Sequence, residues 1–206
     1  MKLLGLTGGI GMGKSTCAQL LRARNIPVVD TDDLARSVVD PGQPALAEIS
    51  AVFGSQMLDN NGALNREAVA KLVFSDSAAR QQLESILHPR IRKLWQEHAS
   101  QWRLQDRTLG VVVIPLLFET GADSDLDATI CVACSETSQL DRLRSRGWSA
   151  EQIEQRIRAQ LPVEQKLTKS NYVIWTEGEI DLHAQQLDRI LQSLECKIPS
   201  IPNPGT

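Results

Sequence analysis

Apolar positions along this chain fall into two patterns: short unbroken runs, and longer stretches spaced by three and four. The first predicts buried strands and the second amphipathic helices. Lys2–Leu6 reads as a short strand that ends in glycines, and Lys14–Arg24 as a helix with Ala18, Leu20 and Leu21 on its apolar side. Ile26–Asp30 is a second apolar run, rich in β-branched residues and closed by acids. Strand, turn, helix and strand make a βαβ unit, which predicts a parallel sheet with right-handed crossovers.

From Thr31 to Leu104 the spacing is helical, punctuated by Pro41-Gly42-Gln43-Pro44 and Asp59-Asn60-Asn61-Gly62. Ala45–Phe53, Arg66–Phe74, Ala78–Leu87 and Arg90–Trp102 read as separate helices, with His88-Pro89 at a junction. Such a block between strands predicts a second lobe built on the sheet's edge. Strand-like runs return at Gly110–Ile114 and Ala128–Ala133, followed by two arginine-rich helices. Ser149 and Gln152 predict a capping box at the start of the second. Tyr172–Trp175 reads as the last strand. Glu179–Glu195 reads as a closing helix with Ile180, Ala184, Leu187, Leu191 and Leu194 on one stripe. The proline-rich tail Pro199–Thr206 is expected to be disordered.

Composition narrows the class without naming it. The 206 residues suit one compact domain with inserted lobes. A net charge of −3 argues against a nucleic-acid binder, which usually carries a basic surplus. The longest apolar run, Leu109–Phe118, contains a proline and is too short to span a bilayer, so no membrane partner is expected. Met1–Leu6 runs directly into a glycine loop that carries chemistry and is not expected to be a leader. Cys131 and Cys134 have CxxC spacing, but no second pair or histidine lies nearby, so they read as buried strand cysteines. All four cysteines suit a reducing cytoplasm. His88, His98 and His183 show no metal partners. Trp95, Trp102, Trp148 and Trp175 are not interleaved with basic residues and read as packing.

The chemistry concentrates between the first strand and first helix. Gly8-Gly9-Ile10-Gly11-Met12-Gly13-Lys14-Ser15 matches G-x-x-x-x-G-K-S/T. In that arrangement the glycines let backbone N–H groups approach phosphates, and the helix adds its positive N-terminal end. The motif predicts an ATP site formed by Gly9, Gly11, Met12, Gly13, Lys14, Ser15 and Thr16. Lys14 would reach the β- and γ-phosphates and the Ser15 hydroxyl would ligate Mg2+.

Asp30, Asp32 and Asp33 follow the second strand, at the end that faces the ligand crevice in a doubly wound sheet. One carboxylate there would take a proton from an attacking hydroxyl or help hold magnesium; a neighbour would cap the helix that starts near Leu34. Arg142, Arg144, Arg146, Arg156 and Arg158 form a local basic concentration, with Arg142 and Arg146 spaced to share a helix face. On a mobile lid such arginines would clamp a transferring phosphoryl group.

Several segments together resemble the dephospho-CoA kinase family: Leu6–Thr16, Val29-Asp30-Thr31-Asp32 with Ala35-Arg36, His88-Pro89, Val113–Glu119, and Arg156–Gln160 followed by Pro162, Glu164 and Lys166. The resemblance runs from Leu3 to about Gly178. It implies an α/β fold: a P-loop NTPase-type parallel sheet flanked by helices, with an inserted helical substrate lobe and a helical lid. A single kinase domain would span 1–206, with its core at about 1–34 and 106–206, the lobe at about 35–105 and the lid at about 136–168. The implied reaction moves the γ-phosphate of ATP to the ribose 3′-hydroxyl of dephospho-CoA. Asp32 would be the base, with Lys14 and Arg142 as its catalytic companions. Thr7, Asp32, His88, Leu116 and Glu119 would lie on the acceptor side. The adenine would meet the segment near Tyr172–Gly178. The resemblance further implies ATP and Mg2+ as cofactors, a cytoplasmic location, and a monomer or weak homo-oligomer.

The chain departs from the family pattern in places. Met12 stands where serine is usual, with only its backbone expected to face phosphate. Ser170-Asn171 replaces a usual Ala-Asp, and Trp175-Thr176 replaces a polar pair. From the residues alone, two rivals stay open: another small-molecule P-loop kinase, or a nucleotide-dependent switch. Thr168-Lys169-Ser170-Asn171 does not supply the N-K-x-D guanine reader of a GTPase, and the third strand ends in Ile114-Pro115 rather than an acid.

Overall fold

A computed structural model describes residues 1–196, apart from the side chains of Phe74, Glu195 and Cys196. The expectation for the tail Pro199–Thr206 lies outside these residues. Five strands form one sheet in the order β2-β3-β1-β4-β5. They are β1 (Lys2–Gly8), β2 (Val28–Asp30), β3 (Leu109–Val113), β4 (Ala128–Ala133) and β5 (Tyr172–Trp175). The registered pairings β2–β3, β1–β4 and β4–β5 are parallel. No described helix is long and apolar enough to cross a membrane.

The chain divides into two compact units: Met1–Leu3 with Pro27–Ile114, and Leu4–Ile26 with the residues from Pro115 onward. The second holds the glycine loop. Its helices are α1 (Lys14–Ala23), α6 (Glu136–Arg144), α7 (Ala150–Arg158), α8 (Val163–Lys169) and α9 (Ile180–Cys196). Every residue of β4 is buried, as an uninterrupted apolar run in a parallel sheet requires. The Ser149–Gln152 capping box is present at α7.

Three expectations for this unit need correction. Between β4 and β5 there are three helices rather than two. The additional one, α8, is short: besides Val163 and Leu167, which pack on Met12, the residue it turns fully inward is Lys166. The buried stripe of α9 is His183, Leu187, Ile190 and Leu194, whereas Ile180 is 51% exposed. The helix begins at Ile180, so its first turn lies at the surface and the stripe starts one turn later. Arg146 does not share a helix face with Arg142. The helix ends at Arg144, and Gly147 turns the chain at φ 79°.

The first unit contains β2, β3 and four helices: α2 (Thr31–Ser37), α3 (Pro44–Phe53), α4 (Arg66–Ser75) and α5 (Ser77–Leu104). Val38, Val39, Ala45, Ile49, Met57, Leu83 and Ile86 form its helical core. Here too the structure differs from the expectation. Ala78–Leu87 and Arg90–Trp102 are one continuous helix, with Pro89 inside it. An interior proline removes a backbone donor and costs about 3 kcal/mol. Burial on both sides of the proline offsets that cost: Ala79, Leu83 and Ile86 before it, Trp95, Ala99 and Trp102 after it. Trp102 packs so closely on β3 that a Cβ at Gly110 would lie 2.4 Å from its ring.

Candidate active site

The second unit carries the phosphate loop. β1 ends at Gly8 with φ 144°, where a Cβ would stand 2.2 Å from the Val132 carbonyl oxygen; only glycine fits. Gly13, at φ 96°, occupies the N-cap of α1 and gives it no side-chain cap. The Lys14 ammonium reaches back across the loop and donates to the carbonyls of Gly8 (2.8 Å) and Gly9 (2.9 Å). Ser15 is exposed and Thr16 half-buried at the start of α1.

Met12 points away from the loop mouth. Its side chain is 2% exposed and packs with Ala133, Cys134, Val163 and Leu167. Its carbonyl accepts from the Thr176 hydroxyl at 3.0 Å. Thr176, a departure from the family pattern, is a hub of hydrogen bonds. Its N–H donates to Ala133 O at 2.7 Å. Its hydroxyl also lies 3.2 Å from Ala133 O and accepts from Arg142 Nη1 at 3.0 Å, while Arg142 Nη2 donates to its carbonyl. A Cβ on Gly13 would sit 3.2 Å from Thr176 Cγ2. Thr176, the residue after β5, thus ties the loop, the end of β4 and Arg142 of α6 together.

Of the five arginines expected to form a clamp, Arg142 is the one bonded beside the loop. Arg144 pairs with Asp141 at 3.3 Å and Arg158 with Glu154 at 2.6 Å, both exposed pairs worth little. The Arg156 guanidinium lies over the Trp148 ring, 4.3 Å from its centroid, so one tryptophan does meet a basic residue. Trp95 and Trp102 are buried as expected, but Trp175 is 44% exposed.

Glu177 follows the hub and tethers the start of α6, accepting from Ser135 N at 2.7 Å and from the Ser138 hydroxyl at 2.8 Å. Hydrogen bonds from Ser135, by side chain and backbone, and then from Ser138 hold this carboxyl down at about 2, against an ordinary 4.5. A lowered folded pKa stabilises the fold above the ordinary value, and that contribution is lost as the pH falls through the folded one. The melting-temperature gap between wild type and Glu177→Gln is therefore full at pH 6 and closes as the pH falls from about 4.5 towards 2. A gap independent of pH contradicts the assignment.

The Pro115–Glu119 segment is held by a buried cation. Lys166 is fully buried; its ammonium donates to Pro115 O at 2.6 Å and pairs with Glu119 at 2.8 Å. Glu119 also accepts from Leu161 N at 2.7 Å. Thr7, fully buried, places its hydroxyl 3.3 Å from the same Pro115 carbonyl. Leu116 is half-buried. Cys17, Cys131 and Cys134 are free and buried. Burial pushes the Cys17 thiol up to about 12 and the Cys131 thiol up to about 11, so neither is a thiolate near neutral pH.

In the first unit, Asp30 is the N-cap of α2 and accepts from Asp32 N at 2.9 Å. The expected capping acid is therefore Asp30, although the helix starts at Thr31 rather than near Leu34. The Asp32 side chain is exposed. Thr31 fixes the turn by donating to Val113 O at 3.0 Å. His88 is half-buried within α5.

Comparison with known proteins identifies the family. The dephospho-CoA kinase family model matches residues 2–181. A dephospho-CoA kinase from Anaeromyxobacter dehalogenans is 43% identical over 207 residues, covering 98% of this chain and 98% of that protein. A crystal structure of a Thermus thermophilus protein aligns with a TM-score of 0.81 at 36% identity, over 94% of this chain and 97% of that one. The dephospho-CoA kinase from Campylobacter jejuni aligns with a TM-score of 0.69 at 26% identity, over 93% and 96% respectively. This chain belongs to the dephospho-CoA kinase family.

Proposed function

We propose that this protein transfers the γ-phosphoryl group of ATP to the ribose 3′-hydroxyl of dephospho-CoA, giving coenzyme A and ADP. The observation that carries the phosphoryl-transfer reading is the loop itself: an uncapped helix N-terminus behind three positive-φ glycines, Gly8, Gly11 and Gly13, with the Lys14 ammonium across its mouth. Phosphoryl transfer asks the protein mainly for positioning and charge stabilisation. In this reading Gly9, Gly11, Met12, Gly13 and Thr16 line the nucleotide phosphates through the loop and first helical turn. Lys14 neutralises charge that builds on the β- and γ-phosphate oxygens. Arg142 adds a second positive charge to the transferring group.

Asp32 acts as the base that accepts the 3′-hydroxyl proton. Its exposed carboxylate stands at the end of a strand, and its neighbour Asp30 already serves as the cap. His88 and Leu116 lie on the acceptor side, within a lobe at about 35–105 and at its border. Thr7 and Glu119 act there by shaping the Pro115–Glu119 segment, to which both are bonded. Residues at about 136–168 form the lid.

The residues present suit Mg2+. The exposed Ser15 hydroxyl is a hard oxygen donor at the first turn of α1. Among the described residues no group of three or more His, Cys, Asp or Glu side chains could hold a metal. When bound, Mg2+ would be held by the Ser15 hydroxyl and would supply positive charge to the phosphates. We take the working form to be a monomer or weak homo-oligomer in the cytoplasm.

The test is product identity. After incubation with magnesium-ATP and dephospho-CoA, the expected product is heavier by one phosphate, with its phosphorus resonance coupled to the ribose 3′ position. Phosphate on any other atom of the acceptor contradicts the reading. Asp32→Asn is expected to lower kcat by about 10²–10⁴-fold while leaving ATP affinity nearly intact. Turnover within a few fold of wild type would remove Asp32 from the base role.

A further inference from the structure

Ile10 stands at the crest of the phosphate loop, and both of its backbone polar groups are taken by glutamine side chains from distant parts of the chain. Its N–H donates to Gln160 Oε1 at 3.1 Å, and its carbonyl accepts from Gln139 Nε2 at 2.7 Å. Each glutamine contributes the half of its amide that the peptide needs: an acceptor at 160 and a donor at 139. Gln139 is 6% exposed, although its side chain is polar. It lies one turn from Leu143 on α6, and the two line the outer side of the loop. A Cβ on Gly9 would meet Gln139 Nε2 at 3.3 Å, and one on Gly11 would meet Leu143 Cγ at 2.9 Å. Gln160 sits between α7 and α8.

A glycine-rich loop pays the largest entropic cost of any segment when it is ordered. Fixing the two peptide units that flank Ile10 removes part of that freedom before a ligand arrives. It also sets the directions of the neighbouring N–H groups that a phosphate would meet. Preorganisation of this kind raises affinity by lowering the ordering cost of binding.

We propose that Gln139 and Gln160 are positioning residues that bracket the phosphate loop and hold it ready for the phosphates of ATP. The proposal rests on the reading of this loop as the ATP site. Because both glutamines belong to the α6–α8 segment, the bracket also links the state of that segment to the shape of the loop.

Gln139→Met and Gln160→Met keep the length of the side chain and remove its hydrogen bond to Ile10. In a steady-state assay with magnesium-ATP and dephospho-CoA, each is expected to raise KM for ATP about tenfold, the scale of one lost hydrogen bond. KM for dephospho-CoA and the melting temperature should stay close to wild type. A merely structural role would move both KM values and the melting temperature together, and that result overturns the proposal, as does an unchanged KM for ATP. Gln139 is buried, so if its variant does not fold, the half-buried Gln160 carries the test. Wild type is measured in the same assay. Its failure to turn over would count against the ATP-kinase reading itself, whereas normal wild-type turnover with unaffected variants counts against the bracket alone.

Discussion

Replacing Lys14 with alanine is expected to lower kcat by at least about 10³-fold, with a smaller loss of ATP affinity. The ammonium is held by Gly8 and Gly9 carbonyls at the loop mouth, so it needs little reorganisation to meet phosphate. The negative charge on the γ-phosphoryl oxygens redistributes during transfer, and a fixed cation stabilises the transition state more than the ground state. Lys14→Arg should not rescue the loss. A guanidinium is planar and bulkier, and it cannot replace a compact point charge seated between two carbonyls. Single-turnover kinetics at saturating ATP separate the two effects. A Lys14→Ala variant that keeps a tenth or more of wild-type kcat would remove the lysine from the chemistry.

Glu119→Ala is expected to destabilise the fold by about 3 kcal/mol, because it leaves the buried Lys166 ammonium without its counter-ion. Lys166 is fully buried, and without Glu119 its ammonium keeps only the Pro115 carbonyl among its protein partners seen here. The reverse change should cost less. Lys166→Met fills much of the same volume, and the Glu119 side chain, 20% accessible, can take water in place of the ammonium. Urea unfolding of the two variants measures the order directly. If Lys166→Met proves the more costly, the buried cation is not what dictates the pairing.

The parts of this fold that could be read from the sequence are those encoded locally. The phosphate loop is contiguous, and its glycines and lysine announce their backbone and charge requirements within eight residues. β4 and β5 were legible because apolar runs bounded by polar residues are local signals too. Elsewhere tertiary contacts outweigh local preference. Pro89 marks a helix boundary by propensity, yet Trp95, Ala99 and Trp102 bury enough surface after it to carry α5 through. Ile180 looks like the start of the apolar stripe of α9, yet the buried position belongs to His183. α8 is only seven residues long, and Val163 and Leu167 are too few apolar positions to set a helical period.

The candidate site shows the same division. The glycine loop ahead of α1 follows from the motif, and the cap at Asp30 follows from capping chemistry. Thr176 looked like an odd substitution in an adenine-facing segment. Its hydrogen bonds to Met12, Ala133 and Arg142 involve residues far apart in the chain, and no local pattern points to them. Lys166 and Glu119 are of the same kind. The sequence held both partners in family-like stretches, but nothing in either stretch says that one closes on the other.

The most direct test of the central claim is the rate of ADP release from magnesium-ATP by the purified protein, with and without dephospho-CoA. The structure and family predict slow release alone and strong stimulation by dephospho-CoA, with one coenzyme A formed for each ADP. Release that dephospho-CoA does not stimulate, from protein shown to be folded and to bind ATP, would contradict dephospho-CoA as the acceptor and leave only the phosphate-loop reading standing.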